Sequence, residues 1–216
     1  MIPRPVKAVV FDMDGLLLDT EVVYREVMAE AAAVMGEELP EAVFLKMVGL
    51  PGAASREVAL DHFGPEFSFD GWMAHVSTLA HERLSAGAPL KAGVAELLDR
   101  LDEAGLPRAI ATSSSHDGVE RHLGPSGLVP RFHAVIAAGD YAHGKPHPDP
   151  FLTAARRLGV APADCLALED SHNGVRAAAA AGMMTVMVPD LLPATPEMRA
   201  LTVAVVDSLH DVAALL

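Results

Sequence analysis

Short runs of consecutive apolar residues recur along the chain, and segments with helix-like spacing of apolar positions follow them. The runs are Lys7–Phe11, Arg108–Thr112, Ala134–Ala138, Cys165–Leu168, Thr185–Val188 and Thr202–Val206. They lack regular apolar–polar alternation, the pattern of strands covered on both faces in a parallel sheet. The helical segments are punctuated. Val94–Ala104 stops at Gly105. Asp149-Pro150 offers an N-cap followed by proline at the first helical position, and that helix closes at Gly159. Asn173-Gly174 opens an alanine-rich helix that ends at Gly182. Strand alternating with helix predicts an α/β fold.

One segment breaks the alternation. Between about Thr20 and Ala88 the pattern is helical only, over Glu21–Met35, Glu41–Val48, Ala53–Phe63 and Gly71–Ser85. Breaks fall at Gly36, Gly49-Leu50-Pro51-Gly52, Gly64-Pro65 and Gly87-Ala88-Pro89. An all-helical insert between the first two strands predicts a small domain over residues 20–87, with the α/β core formed by residues 1–19 and 88–216. The stripe Val23, Val27, Ala31 and Val34 is expected to face that domain's core. The insert is strongly acidic: its basic residues are Arg25, Lys46, Arg56 and Arg83.

Composition narrows the function classes. At 216 residues and 51% apolar content the chain can bury one full core with room for a modest second domain. A formal charge of −13 repels nucleic acid and anionic membrane, and no basic run offsets it. The apolar stretch Ala177–Val188 is too short to span a bilayer. Two prolines before Lys7, and an apolar run that stops at Asp12, make a signal peptide unexpected. Cys165 is the single cysteine, so no internal disulfide is possible and a cytoplasmic setting is expected. Lysine is scarce, at Lys7, Lys46, Lys91 and Lys145. An anionic substrate would need local compensation from a metal ion or a few placed cations.

Polar residues cluster where the predicted strands end. Phe11-Asp12-Met13-Asp14-Gly15 places two carboxylates two residues apart, and in an extended segment such residues point the same way. The second strand ends in Thr112-Ser113-Ser114-Ser115, the third runs into a loop carrying Lys145, and the fourth ends in Glu169-Asp170-Ser171. A parallel sheet brings these ends to one rim, where ligands bind in open α/β sheets. Several carboxylates at one rim call for a hard divalent cation, of which Mg²⁺ fits the all-oxygen donors. Hydroxyls, helix-start N–H groups and one lysine suit phosphate oxygens. Together they describe phosphoryl transfer through an aspartyl-phosphate. Each item also has a plainer reading. The Thr-Ser-Ser-Ser run can cap the next helix, Lys145 can be an exposed turn lysine, Glu169-Asp170 can be an N-cap box, and His143 and His147 can be exposed loop residues. Four coincidences in order weigh against those readings.

These residues resemble the haloacid dehalogenase-like hydrolases. Asp12-Met13-Asp14-Gly15 looks like the family's first motif, Thr112 its second, Lys145 its third and Leu168-Glu169-Asp170-Ser171 its fourth. The helical insert sits where the family's cap domain belongs, and the closest subgroup is the β-phosphoglucomutase-like phosphatases with a helical cap. The resemblance implies a Rossmann-like doubly wound parallel sheet and a Mg²⁺-dependent phosphatase. By it, Asp12 is the nucleophile and Asp14 the acid/base. Asp12, the Asp14 backbone carbonyl and Asp170 hold the metal, with Glu169 in or beside that set. Thr112, Ser113, Ser114 and Lys145 hold the phosphoryl group. Gly15 and Gly87-Ala88-Pro89 would be the hinges. The substrate class is a small phosphorylated metabolite, a sugar phosphate, and the protein is expected to be a monomer that binds neither nucleic acid nor membrane.

The alternatives are a sugar phosphomutase, a phospho-accepting signalling domain and a non-catalytic interaction module. A mutase needs cap cations for a second phosphate. The turn Gly49-Leu50-Pro51-Gly52 lacks the mutase pattern, Arg56 lies further along a helix, Asp117 is a poor anion partner, and Tyr24 stands at the mutase's histidine position. Glu21 beside the hinge also suits a phosphatase. A signalling domain would have roughly half this length and would leave the insert unexplained, with only Asp140 near the third strand. Tyr24, Lys46, Arg56, Trp72, His75, His81 and Arg83 are the candidates for recognising the leaving group.

Overall fold

The computed structural model describes residues 2–48, 50, 52–85 and 87–216, with the side chain of Glu21 outside that description. The elements run β1 (Ala8–Phe11), α1 (Thr20–Val34), α2 (Glu41–Met47), α3 (Gly52–Phe63), α4 (Phe69–Arg83), α5 (Val94–Glu103), β2 (Arg108–Ser115), α6 (His116–His122), β3 (Ala134–Ala138), α7 (Asp149–Leu158), β4 (Cys165–Glu169), α8 (His172–Ala180), β5 (Met184–Met187), α9 (Pro196–Leu201), β6 (Ala204–Val205) and α10 (Leu209–Leu215). Contacts divide them into two compact units, Met1–Asp19 with Gly87–Leu216, and Thr20–Ala86.

The first unit is built on a six-stranded sheet of order β3-β2-β1-β4-β5-β6, with every neighbouring pair parallel. This is the doubly wound α/β architecture the apolar runs predict. β1, β4 and β5 are buried at every residue, because helices cover both faces and no position is left for a solvent-facing side chain. Strand order reverses between β1 and β4, so the crevice at their carboxyl ends is the topological switch point. One face of the sheet packs Val10, Ala111, Ile136 and Ala167 against Phe151, Ala154 and Ala155 of α7 and Ala177 and Ala178 of α8. Small residues on both helices let the backbones approach the sheet closely.

Two departures from the sequence reading concern helix starts. Asp149 is the first residue of α7 rather than its N-cap, with Pro148 in that place. Its carboxylate instead accepts from the His143 N–H (3.1 Å) and bonds the His143 ring (3.0 Å). α8 opens at His172, capped by Ser171, whose hydroxyl accepts from Gly174 N–H (3.1 Å). The serine supplies the side-chain acceptor that an orphan helix N–H requires, which Asn173 inside the helix cannot do from its position.

The second unit is helical. α1 packs along α4, Trp72 is fully buried and donates its indole N–H to the Met28 carbonyl (3.0 Å). Arg83 pairs with Glu26 (2.6 Å) and Glu30 (2.5 Å) across the same helices. Val27 and Ala31 are buried as their spacing predicts, whereas Val34, the last residue of α1, is 64% exposed. The stripe runs past the end of the packed surface. Within the first unit, the segments on either side of the insertion point pair with each other. Asp19 N–H donates to Pro89 C=O (2.8 Å), Lys91 N–H to Leu17 C=O (2.9 Å), and Leu18 bridges Leu90. Among the described residues no helix is long and apolar enough to cross a membrane.

Phe151 is buried completely in α7 beneath the sheet. Phe151→Ala should lower unfolding free energy by about 3–5 kcal/mol, the range for emptying an aromatic site in a packed core. A denaturant titration followed by circular dichroism measures it.

Candidate active site

The rim begins where β1 ends. Asp12 N–H donates to Leu168 C=O (3.0 Å), extending the β1–β4 ladder by one rung and leaving Asp12 buried at the switch point. The chain then coils tightly. Leu17 and Leu18 N–H both donate to Met13 C=O (2.9 and 3.0 Å), and Gly15 N–H donates to Leu18 C=O (2.9 Å). Gly15 has φ +86°, and a Cβ there would overlap the Asp170 carboxylate. Glycine is required twice over at this position, for its backbone region and for the close approach.

The hydroxyl run after β2 divides its work. Ser114 Oγ donates to Asp14 Oδ2 (2.7 Å), Thr112 Oγ1 lies 3.4 Å from the same oxygen, and Ser114 N–H donates to Thr112 Oγ1 (3.0 Å). Ser115 is the helix cap, accepting from Gly118 N–H (3.2 Å). Ser113 is exposed.

Lys145 arrives from the loop between β3 and α7. Its side chain is buried and donates to Asp12 Oδ1 and to Glu169 Oε1 (2.5 Å), with the ammonium 5.2 Å from the Phe151 ring centroid. The other lysines are placed elsewhere. Lys7 pairs with Asp164, Lys46 is exposed, and Lys91 bridges Asp19 and Asp190.

Glu169, the fully buried last residue of β4, uses its second oxygen to accept from Ser171 N–H (3.2 Å) and Ser171 Oγ–H (3.0 Å). Gly174 makes room for it, since a Cβ at that position would overlap the Glu169 carboxylate. Asp12, Glu169 and Asp170 each present an oxygen within 4.8 Å of the others. Asp170 Oδ1 is buried without a hydrogen-bond partner. That orphan acceptor beside two further carboxylates fits a hard cation with oxygen ligands. The Asp14 carboxylate is not part of this cluster. It turns toward Ser114 and Thr112, and the atom expected to face a cation was its backbone carbonyl.

Crowding sets the electrostatics. Burial, with Glu169 and Asp14 adding to it, raises the Asp12 pKa to about 8, against the opposing pull of Lys145. Burial, Asp12 and Glu169 likewise raise Asp170 well above the ordinary carboxylate range. For Lys145, burial alone would favour the neutral amine, but Asp12 and Glu169 more than offset it and hold the ammonium charged. One lysine does not neutralise the acids around it.

Of the residues considered for leaving-group recognition, Trp72 is core, Arg56 pairs with Asp70 and lies 4.7 Å from the Phe69 ring centroid, and Arg83 is held by Glu26 and Glu30. Lys46, His75 and His81 are exposed, and Tyr24 is partly buried. Gly49 and Pro51 of the expected turn, and the Glu21 side chain, lie outside the described residues. Two supporting contacts carried no sequence signal: Ser171 bracing Glu169, and the Tyr141 phenol donating to Thr112 C=O (3.0 Å).

An aspartate pair, a buried lysine and a third acidic strand end at the switch point of a parallel sheet define a phosphoryl-processing α/β hydrolase. The chain belongs to the haloacid dehalogenase-like hydrolases, whose family model matches residues 6–182. It is 39% identical over 193 residues to a Drosophila melanogaster protein named probable pseudouridine-5′-phosphatase, covering 87% of this chain and 83% of that one. It is 32% identical over 201 residues to hexitol phosphatase B of Escherichia coli K12, covering 87% and 85%. A solved Thermotoga maritima protein titled putative β-phosphoglucomutase is similar at a TM-score of 0.79, 26% identity and coverage of 98% and 100%. The chain is thus a phosphoric monoester hydrolase in the β-phosphoglucomutase-like branch of that family.

The raised acids predict an unusual pH response. An aspartate has its ordinary pKa of about 3.9 when unfolded, whereas folded Asp12 holds its proton to about pH 8. Between those values the folded state binds the extra proton, so metal-free stability should fall as pH rises from about 4 to about 8. A cation competing for the same oxygens should stabilise more at pH 8 than at pH 5. At Mg²⁺ about 100-fold above Kd the gain at pH 8 should be about 2.7 kcal/mol. Thermal melts with and without Mg²⁺ at both pH values test this. An equal shift at each would contradict proton–metal competition.

Proposed function

We propose that this chain is a Mg²⁺-dependent phosphatase that hydrolyses a small phosphate monoester, a sugar phosphate, through an aspartyl-phosphate on Asp12. The observation that carries the reading is Asp12 itself, a buried carboxylate at the switch point, held by Lys145 and followed two residues later by Asp14. Relatives named for pseudouridine-5′-phosphate and for hexitol phosphates support a sugar-derived substrate.

In this reading Asp12 attacks phosphorus while the P–O bond to the leaving alcohol breaks. Asp14 gives its proton to that departing oxygen. Asp14 then takes a proton from water, which attacks the acyl phosphate, releases orthophosphate and restores Asp12. Thr112 and Ser114 orient the Asp14 carboxyl through their hydroxyls. Thr112, Ser113, Ser114 and Lys145 line the position of the phosphoryl oxygens, and Lys145 also stabilises the attacking carboxylate. Asp12, Asp170 and the Asp14 carbonyl would hold Mg²⁺, with Glu169 beside them. The ion supplies positive charge against the carboxylates and the phosphoryl oxygens.

Hydrolysis is favoured over phosphomutase chemistry because Arg56, the nearest helical-unit arginine to the expected turn, is engaged by Asp70 and Phe69. The helical unit, residues 20–87 in this reading, serves as the cap that selects the leaving group. The single buried thiol of Cys165, raised to about 11 by burial, suits a reducing cytoplasm, and the protein acts there as a monomer.

Asp12→Asn should abolish phosphate release from a generic aryl phosphate while leaving the circular dichroism spectrum unchanged. Activity surviving in that variant would remove the nucleophile assignment. Chelation should stop turnover and added Mg²⁺ restore it. Conversion of a hexose 1-phosphate to the 6-phosphate with a bisphosphate primer would instead establish the mutase reading.

A further inference from the structure

The β2–β3 ladder fails where the phosphoryl-binding residues lie. Ala111 pairs with Ile136 and Ser115 pairs with Ala138, with the register shifting between them. Thr112, Ser113 and Ser114 therefore stand opposite Ala137 alone, so the sheet does not fix their backbone. The Ala137 N–H turns away from the ladder as well, donating to Asp140 Oδ2 (3.0 Å).

The dipeptide Asp140-Tyr141 occupies the gap. Tyr141 Oη donates to Thr112 C=O (3.0 Å), the carbonyl of the peptide that joins Thr112 to Ser113. The Tyr141 ring packs against the buried cluster that contains Ala111, Ile136 and Phe151, so its hydroxyl position is set by the core. Asp140, besides holding Ala137, lies 2.9 Å from His116 Nε2 on the far side of the bulge. Lys145 follows four positions after Tyr141 in the same loop.

We propose that Tyr141 is a positioning residue for the phosphoryl site, assisted by the Asp140–His116 contact. It replaces the missing ladder bonds across the bulge and fixes Thr112 to Ser114 relative to Asp14 and Lys145. This rests on the reading of the site as a phosphatase centre. Its effect reaches the substrate through Thr112 and Ser114: losing the phenol hydroxyl frees the Thr112–Ser113 peptide, and the hydroxyls that face Asp14 lose their alignment.

Tyr141→Phe keeps the packed ring and removes only the hydroxyl. It should lower kcat/KM for an aryl phosphate about tenfold, the scale of one lost hydrogen bond, and weaken orthophosphate binding, measured by isothermal titration calorimetry, by a similar factor. The thermal midpoint should move by no more than about 3 °C. His116→Ala, at an exposed side chain, should act in the same direction by about threefold, and it carries the test if Tyr141→Phe does not fold. Unchanged kinetic constants and orthophosphate affinity would overturn the proposal, as would a loss explained wholly by a lower folded fraction. Orthophosphate affinity is read without turnover. An active Asp12→Asn control would therefore overturn the phosphatase mechanism separately from the role given to Tyr141.

Discussion

Lys145 stands between Asp12 and Glu169 in a site where burial penalises every charge, and the rest of the rim is arranged around that contact. Without the ammonium, two buried carboxylates would face each other with Asp170 beside them, an arrangement that like-charge repulsion and desolvation both oppose. The lysine can reach them because α7 packs Phe151 beneath it and because β3 ends one strand away from β2. Topology supplies the rest. A reversal of strand order between β1 and β4 opens the crevice into which Asp12 and Glu169 project from adjacent strands.

Close approach at this rim depends on absent side chains as much as on present ones. Gly15 lets the Asp170 carboxylate lie against the loop after β1, and Gly174 lets the start of α8 lie against Glu169. Ser171 then serves two partners at once, accepting from the helix N–H of Gly174 and donating to Glu169. A helix cap and a carboxylate brace are the same side chain. The run Thr112 to Ser115 shows a related economy, with its last serine capping α6 and its threonine and second serine turned to Asp14. In that run different residues cap the helix and contact the aspartate.

The sheet was legible in the chain because parallel strands covered on both faces leave an apolar run that local sequence displays directly. β3 spans the same residues as its run, and the helical insert announced itself by the lack of any such run. Asp12, Lys145, Glu169 and Asp170 could be anticipated because each stands at or beyond a strand end, a position that sequence order defines. Side-chain pairings across elements were not legible. That Asp149 turns to His143, that Val34 overshoots its packing surface, and that Tyr141 reaches Thr112 all follow from register and tertiary placement rather than from local pattern. The bulge in β2 is the clearest case. An uninterrupted polar run gives no sign of how many of its residues keep pace with the neighbouring strand.

Charge balance links the site back to the whole chain. The protein carries −13 overall, and Lys145 is already shared between two carboxylates. A phosphate dianion entering beside Asp12, Glu169 and Asp170 would therefore meet a net negative site, and the raised pKa of Asp12 is the same imbalance expressed as a held proton. Protonating Asp12 would relieve the imbalance but, in the mechanism proposed for this site, would also remove the nucleophile. Compensation must come from a cation, and the unpartnered oxygen of Asp170 is where the protein leaves an acceptor open for one. The deficit thus sets an order: carboxylates that outnumber their one ammonium need a cation before an anion can enter beside them.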